Sequence, residues 1–398
     1  MTFLIQIPQL IYAGAEKVLV CFANDLVSRG HEVEILEIYD RGYLKPQFDP
    51  RVSFYCICSK EYTDKYYASL SDIRTEAHVG KRLKKCGKLV FSKVVGYRRL
   101  AEKLTARHYE GKRFDAAINY LEIESPMFLL EHIDAKRYIQ WYHTDVANLE
   151  NPKDTDKMIP DFERMDAIIC VSQYARKSFV ARYPQLKEKT HVIYNFFDCD
   201  TILREGMEPF QYHAAEQGVP VLLSVGRMTP QKKYLRFLRI LHKLKREGYR
   251  FQWYVLGDGR DREEIEKAIQ EYGLQDCVFL EGLCDNPYKY MAHCDLFVLP
   301  SGWEGFPTVT VEAKILGCAV LATDVSGVRE QMTHGESGWI VDNDENAIYE
   351  GLKYLLDRPE IVQKIRLKNA AGSIFDNNAK YDQFMSVIRG NHNDREST

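Results

Sequence analysis

The stretch 294–317, CDLFVLPSGWEGFPTVTVEAKILG, constrains the fold more than any other part of the chain. Its run 296–299 is short and wholly apolar, as a buried strand is, and Pro300-Ser301-Gly302 reads as the turn at that strand's carboxyl end. A helix is expected from about 307 to 316. Pro307 suits its first turn, Thr308 or Thr310 is placed to help cap it, and Gly317 stands just past its end, where glycine is favoured. A helix amino end at the carboxyl end of a strand offers unpaired N–H groups and a positive dipole end, which suit a phosphate or another anion. Glu304 and Glu312 bracket that helix start, and two carboxylates beside an anion site need a different partner, for which hydroxyl groups are the natural choice.

The same alternation runs through the chain in two blocks. Runs at 3–7, 31–39, 51–58, 114–120, 137–142, 167–171 and 191–194 read as strands separated by helical or turn segments, and a second series starts at 221 and continues at 251–256, 278–280, 296–299, 319–323 and 338–341. Helices are expected at 234–246, 262–272 and 286–292. A chain of 398 residues exceeds one comfortable core. The expected architecture is α/β, two doubly wound Rossmann-like domains at 1–200 and 215–375. A polar, irregular linker joins them up to about 219, and a last helix at about 376–392 crosses back to the first domain.

Composition removes several function classes. A net charge of −3 gives no general drive toward nucleic acid. The ten cysteines include no Cys-x-x-Cys and sit mostly in apolar runs, which reads as reduced, buried thiols of a cytoplasmic protein and not as a zinc site. The opening MTFLIQIPQL lacks a basic leader and is broken by Gln6, Pro8 and Gln9, so it reads as a first strand, and no apolar run approaches the ~20 residues of a membrane span. Within 81–103, Lys81, Arg82, Lys84, Lys85, Lys88, Lys93, Arg98, Arg99 and Lys103 face almost no acid, while Leu89, Val90, Phe91, Val94 and Val95 supply an apolar stripe. Such a segment either makes peripheral contact with an anionic membrane surface or is a solvated helix face packed on the sheet.

Three segments should meet at one sheet edge in the second block: Gly226-Arg227 through Lys232, the bare turn Gly257-Asp258-Gly259, and the loop and helix 304–312. Two fixed cations beside a helix amino end suit a diphosphate, since charge-assisted hydrogen bonds contribute about 1.5–3 kcal/mol each. In the first block, Ala13-Gly14-Ala15-Glu16 is either a loop that lets backbone approach a ligand or a tight turn. His143 closes the strand 137–142 at the edge where parallel sheets bind ligands, or is structural.

The segments VGRMTPQKK, LGDGRDREEIE, DLFVLPSGWEGFPTVTVEA and GCAVLATDVSGVREQMTHGESGWIV resemble the GT4 family of retaining glycosyltransferases, whose GT-B fold sets two Rossmann-like domains across a cleft. The resemblance is dense over about 221–341 and looser at AGAEKV, RGHEVEIL and WYHTD; the Glu-x7-Glu pair Glu304 and Glu312 is its specific part. It implies that Arg227 and Lys232 hold a nucleotide diphosphate, with Gly226 and Gly257 in the loops around it. It places Glu304 on donor-sugar hydroxyls, the backbone of Gly305, Phe306, Pro307, Thr308 and Val309 near sugar and phosphate, and Glu312 on the ribose. Gly14 would let its loop approach donor phosphates or acceptor, and His143 would lie near the reacting sugar.

Three positions depart from the family pattern: Ala13 and Lys233 stand where glycine is frequent, and Ser326-Gly327 where Gly-Gly is. The pairs Asp154/Asp156, Asp198/Asp200 and Asp342/Asp344 match the Asp-x-Asp metal pattern of the other large glycosyltransferase fold, but all lie in loop-like contexts. No metal or other cofactor is expected, because Arg227 and Lys232 supply the positive charge. The function implied is transfer of a hexose-type unit from a nucleotide diphosphate sugar, a UDP-sugar, to a hydroxyl of a lipid-linked or soluble glycan, as in capsule or exopolysaccharide synthesis. The rivals are a non-catalytic sugar-nucleotide-binding partner subunit on the same fold, which would not cleave donor, and a GT-B nucleotide-sugar epimerase, which would need no acceptor.

Overall fold

The computed structural model describes residues 1–11, 13–67, 70–76, 78–92, 96–148, 152–370 and 376–390. The first half contributes β1 (Thr2–Ile7), β2 (Glu32–Tyr39), β3 (Ser53–Cys58), β4 (Arg113–Phe114), β5 (Ala116–Asn119), β6 (Asp134–Ala135), β7 (Tyr138–Tyr142), β8 (Ala167–Cys170) and β9 (Thr190–Val192). Seven of these form a parallel sheet in the order β3-β2-β1-β5-β7-β8-β9, and β4 and β6 pair separately. The second half contributes β10 (Val221–Val225), β11 (Gln252–Leu256), β12 (Val278–Gly282), β13 (Leu296–Leu299), β14 (Ala319–Thr323) and β15 (Trp339–Val341), in the order β12-β11-β10-β13-β14-β15.

Strands in such sheets are covered on both faces, so they are apolar without alternation: Phe3, Leu4, Ile5 and Ile7 of β1 are all fully buried. Helices supply the cover. The helix Tyr234–Arg246 turns Phe237, Leu238, Ile240, Leu241 and Leu244 inward and leaves Arg239, Lys243 and Arg246 exposed. Strand order reverses beside β1 and β5 in one sheet and beside β10 and β13 in the other. Ligands of open parallel sheets bind outside the strand ends at such switch points. Both places are built from the sequences singled out above.

Four expectations are corrected. The stretch after 194 is not irregular throughout, because the helix Cys199–Gly206 forms in it; Asp198 caps that helix through the Thr201 N–H and Ile202 is buried in the first-half core. One capping bond and one buried isoleucine are too faint a pattern to stand out in a polar segment. Neither Thr308 nor Thr310 caps the helix Thr308–Ile315. Pro307 occupies its N-cap position with no side-chain acceptor, and Thr310 Oγ1 turns back to donate to the Pro307 carbonyl at 2.8 Å. The helix end does behave as read: Gly317 has φ +74°, its N–H donates to Lys314 O at 3.0 Å, and the Cys318 N–H donates to Ala313 O at 2.9 Å.

The basic block spans two helices, Val79–Phe91 and Tyr97–Tyr109, and Lys93, Val94 and Val95 lie outside the described residues. Its cations are less solitary than expected. Arg98 pairs with Glu102 and Glu124, each at 2.8 Å, and Lys85 with Glu76 at 2.9 Å. Its outward apolar stripe also differs: Val79, Leu83 and Val90 are 73%, 68% and 61% exposed, whereas Leu89 is half-buried.

The last helix, Asn377–Arg389, packs Phe384, Met385 and Ile388 into the first-half core, and Lys380 Nζ donates to Asn195 O at 2.7 Å. Residues 391–392 of the expected helix are outside the described residues. Among the described residues no helix is long and apolar enough to cross a membrane.

Candidate active site

At the second-half switch point the loops after β10 and β11 are stitched together, Gly226 N–H to Leu256 O at 2.9 Å and Met228 N–H to Asp258 O at 2.9 Å; Gly257 N–H reaches Gly282 O at 2.7 Å, after β12. This backbone frame delivers Lys232 to Glu304. Nζ lies 2.7 Å from Oε1, while Gln231 Nε2 donates to Glu304 Oε2 at 3.1 Å and to Trp303 O at 2.9 Å. Glu304 is 8% exposed, so its charge is held by these partners instead of water. The two groups assigned separately to phosphate and sugar thus bind each other directly, and Arg227 stands exposed beside them. Lys233 has φ +55°, the one described non-glycine residue with positive φ, and its Nζ lies 5.4 Å from the Trp303 ring centre. A glycine at that position would carry no such strain, which gives the family's preference there a physical cause.

Glu312 lies about one turn into the Thr308 helix, in different surroundings. It is 5% exposed, and burial raises its carboxyl above the ordinary carboxylate range against the opposing charge of Lys17. It lines a cleft of about 820 Å³ together with Lys17, Cys21, Asp285 and Tyr288. One carboxylate of the pair is salt-bridged and the other faces an open cleft.

The loop 304–308 also touches the first half. A Cβ on Gly305 would sit 2.0 Å from His143 O, so only glycine lets this loop rest on the end of β7. A Cβ on Gly14 would lie 3.0 Å from Thr308 Oγ1. Phe306 and Pro307 are buried and Val309 half-buried, and the Phe306 ring lies 5.5 Å from that of Tyr194. Gly14, His143 and 304–309 therefore converge, as do Gly226, Lys232 and Gly257. Ala13 adopts extended backbone, which alanine takes without strain.

The first-half edge is built from other materials. His143 packs on the rings of Tyr120 and Trp141, with centres 4.8 and 6.3 Å away. Burial holds its pKa down to about 3, so the ring is neutral. Its Nε2 and the Tyr120 hydroxyl are buried with no hydrogen-bond partner among the described residues. Glu122, whose carboxyl burial raises, accepts the His143 backbone N–H at 3.1 Å. Glu16 is 6% exposed; burial pushes its carboxyl up to about 7, and the Arg227 charge across the cleft opposes this. Buried polar atoms lacking partners are costly, so this edge suits a ligand that brings hydroxyl groups.

The sequence reading missed Tyr120, Glu122 and Gln231. Tyr120 and Glu122 follow β5, and only its place at the first-half switch point marks them out. Gln231 carried no signal. The Asp-x-Asp pairs have local roles: Asp198 and Asp344 cap helices, Asp156 pairs with Arg182 at 2.7 Å and Asp154 with Lys157 at 2.9 Å. Among the described residues no group of three or more His, Cys, Asp or Glu side chains is placed to hold a metal ion.

Comparison with known proteins bears on both halves. Residues 12–201 match the family described as Glycosyltransferase Family 4, and residues 208–371 match Glycosyl transferases group 1. Over 198 residues the chain is 32% identical to the N-acetylgalactosamine-N,N'-diacetylbacillosaminyl-diphospho-undecaprenol 4-alpha-N-acetylgalactosaminyltransferase of Campylobacter jejuni, covering 49% of this chain and 52% of that protein. Over 152 residues it is 30% identical to the amylovoran biosynthesis glycosyltransferase AmsK of Erwinia amylovora, covering 35% and 37%. The matches span about half, or less, of the length of these curated relatives. The crystal structure of Anabaena HepE in complex with UDP superposes with a TM-score of 0.70 over 98% of this chain and 99% of that one, at 16% identity. The two sheets facing across a cleft are thus the GT-B fold.

Proposed function

The chain belongs to the glycosyltransferases built from a Family 4 and a group 1 domain, and we propose that it is a retaining enzyme that moves a hexose-type unit from a UDP-sugar to a hydroxyl of a lipid-linked oligosaccharide in cell-surface polysaccharide synthesis. The observation that carries the reading is the 2.7 Å contact between Lys232 and Glu304 beside the Thr308 helix, whose amino end has no side-chain cap. An uncapped helix end with Arg227 and Lys232 next to it suits a diphosphate. The relatives' names supply the rest, one acting on a diphospho-undecaprenol-linked sugar and one in amylovoran synthesis.

In this reading Arg227, Lys232 and the Thr308 N–H groups hold the diphosphate and stabilise charge as it leaves. No metal or other cofactor is required, because these groups already face the developing negative charge. When donor sugar arrives, Glu304, oriented by Lys232 and Gln231, accepts its hydroxyl groups, and Glu312 takes the ribose hydroxyls in its cleft. The acceptor hydroxyl approaches past Tyr120 and His143 on the face the diphosphate leaves. The bond from the anomeric carbon to the phosphate oxygen breaks as the bond to the acceptor oxygen forms. The acceptor's proton passes to the departing phosphate oxygen, so configuration is retained without a base. Mass spectrometry of a Glu304→Gln enzyme during turnover tests this: slowed transfer with no covalent sugar adduct is expected, and a trapped adduct overturns the front-face step.

The acceptor's lipid gives the exposed face of the Val79–Phe91 helix a role at the inner surface of the membrane. Val79, Leu83 and Val90 share one exposed face, and Lys81, Arg82 and Lys84 are exposed around the rest of a helix without a single acid. A face of this kind buries its apolar residues at the acyl boundary and sets its cations on anionic headgroups. Flotation with phosphatidylglycerol vesicles at low salt should carry the wild type upward and leave Leu83→Asp behind. Wild-type protein that stays unbound removes the membrane contact and leaves the transfer reaction untouched.

A further inference from the structure

The short helix Val328–Gln331 grips both halves of the molecule with adjacent side chains. Glu330 reaches the first half. Its Oε2 accepts the Gln173 N–H at 2.8 Å and its Oε1 the Tyr174 N–H at 2.9 Å, the first two N–H groups of the helix Gln173–Arg182; Oε2 also accepts the Tyr194 hydroxyl at 2.8 Å. Gln331 reaches the other way. Its Nε2 donates to Pro307 O at 3.0 Å, and its Oε1 lies against the Thr310 hydroxyl, whose proton is shared between it and the Pro307 carbonyl. Tyr194 packs its ring on Phe306, and Ser172, which caps the Gln173 helix, donates to Gly305 O at 3.3 Å. Glu330 thus ends on the amino end of the Gln173 helix and on Tyr194, and the side chain of Gln331 ends on Pro307 and Thr310.

We propose that Glu330 is a positioning residue, a latch that holds the two halves closed by seating its carboxylate on the amino end of the Gln173 helix, and that Gln331 and Tyr194 pass this closure to the loop carrying Glu304. A carboxylate on a helix amino end is favoured by the unpaired N–H groups and the dipole together. Glu330 is exposed, so salt screens the contact and the latch is weak. A weak latch suits a cleft that admits a nucleotide sugar and releases a nucleotide, because such a cleft has to open in every turnover and a buried ion pair would hold it shut. The consequence for catalysis rests on the glycosyltransferase reading, whereas the closure itself does not.

The experiment pairs small-angle X-ray scattering with kinetics for the full chain, comparing wild type, Glu330→Ala, Glu330→Asp and Tyr194→Phe, with melting curves to verify folding. In low salt without donor, wild type should give the smaller radius of gyration, and 0.5 M NaCl, a value chosen at roughly a 4 Å screening length, should expand it toward that of Glu330→Ala, which should not respond to salt. In transfer from a UDP-sugar, Glu330→Ala should lose roughly three- to tenfold in kcat, with UDP affinity unchanged within about twofold. Glu330→Asp should recover part of the loss, and Tyr194→Phe should show a smaller one. Equal scattering of wild type and Glu330→Ala at both salt concentrations overturns the latch, whether or not transfer is observed. A wild type that closes as described but transfers no sugar leaves the latch standing and refutes the activity instead.

Discussion

The two edges that face the cleft are made differently. On the second-half edge the central charges are already engaged: Lys232 and the Gln231 amide both hold Glu304, and the strand-end loops that carry them are fixed to one another by backbone hydrogen bonds. On the first-half edge burial works against charge, with His143 held unprotonated and the Glu16 and Glu122 carboxyls raised, and the Tyr120 hydroxyl has no partner among the described residues. A ligand that always brings the same charges, such as a diphosphate, is matched by fixed cations and helix ends. A ligand that brings a pattern of hydroxyl groups is matched by shape and by polar atoms left open. The first kind of site looks alike across many proteins; the second is particular to each.

The largest effect that would sharpen this contrast is at Lys232. Lys232→Ala removes a cation from the diphosphate site and leaves the buried Glu304 without its counter-charge, so turnover should fall roughly 10²- to 10³-fold in an assay of donor consumption. Next comes Glu312→Ala. It should weaken UDP binding by about 1.5–3 kcal/mol in calorimetry, whereas His143→Ala should slow transfer while leaving UDP affinity almost unchanged. Equal loss of UDP affinity at both positions would erase the division between the edges.

Smaller effects concern pH. The His143 side chain ordinarily titrates at 6.5 and is held at about 3 in the fold, so between these values the unfolded chain binds a proton that the folded chain refuses. Stability should fall as pH drops from 6.5 toward 3, by at most about 1.4 kcal/mol per pH unit from this group, and His143→Gln should flatten that loss in melts. Glu16 has the opposite sign. Its carboxyl rises from 4.5 to about 7, so the contribution is full below 4.5 and is lost as pH rises through 7; Glu16→Gln should remove that slope. Smallest is Lys233, where the left-handed backbone favours glycine. Lys233→Gly should change stability by less than about 1 kcal/mol, because relief of strain offsets loss of the Trp303 contact, whereas Lys233→Val should cost about 1–2 kcal/mol.

Both sheets were legible because buried parallel strands are short apolar runs and each half repeats the strand-loop-helix order. The Tyr234 helix was legible at both of its ends, since a four-leucine face and terminal cations mark it out. The Cys199 helix was not, since its polar composition looks like a loop until Ile202 finds the first-half core. Arg227, Lys232, Glu304 and Glu312 stood out as charges at strand ends beside a helix start. Glu122 and Tyr120 did not, because a carboxylate and a phenol after a strand acquire meaning only when β5 is known to lie at the switch point. Glu330 had no signal at all: two of its three partners are backbone N–H groups more than 150 residues away, which leave no trace in sequence, and the third is the hydroxyl of the distant Tyr194.

The central claim is that charges fixed on the second-half edge hold and cleave a nucleotide diphosphate sugar. The direct measurement is release of nucleoside diphosphate from a panel of UDP-, GDP- and ADP-sugars by the purified chain, with Lys232→Ala alongside and the anomeric configuration of the released or transferred sugar read by proton NMR. The expected result is release from a UDP-sugar with configuration retained, lost in Lys232→Ala. Release at the same rate from both proteins, or a product of inverted configuration, would contradict it.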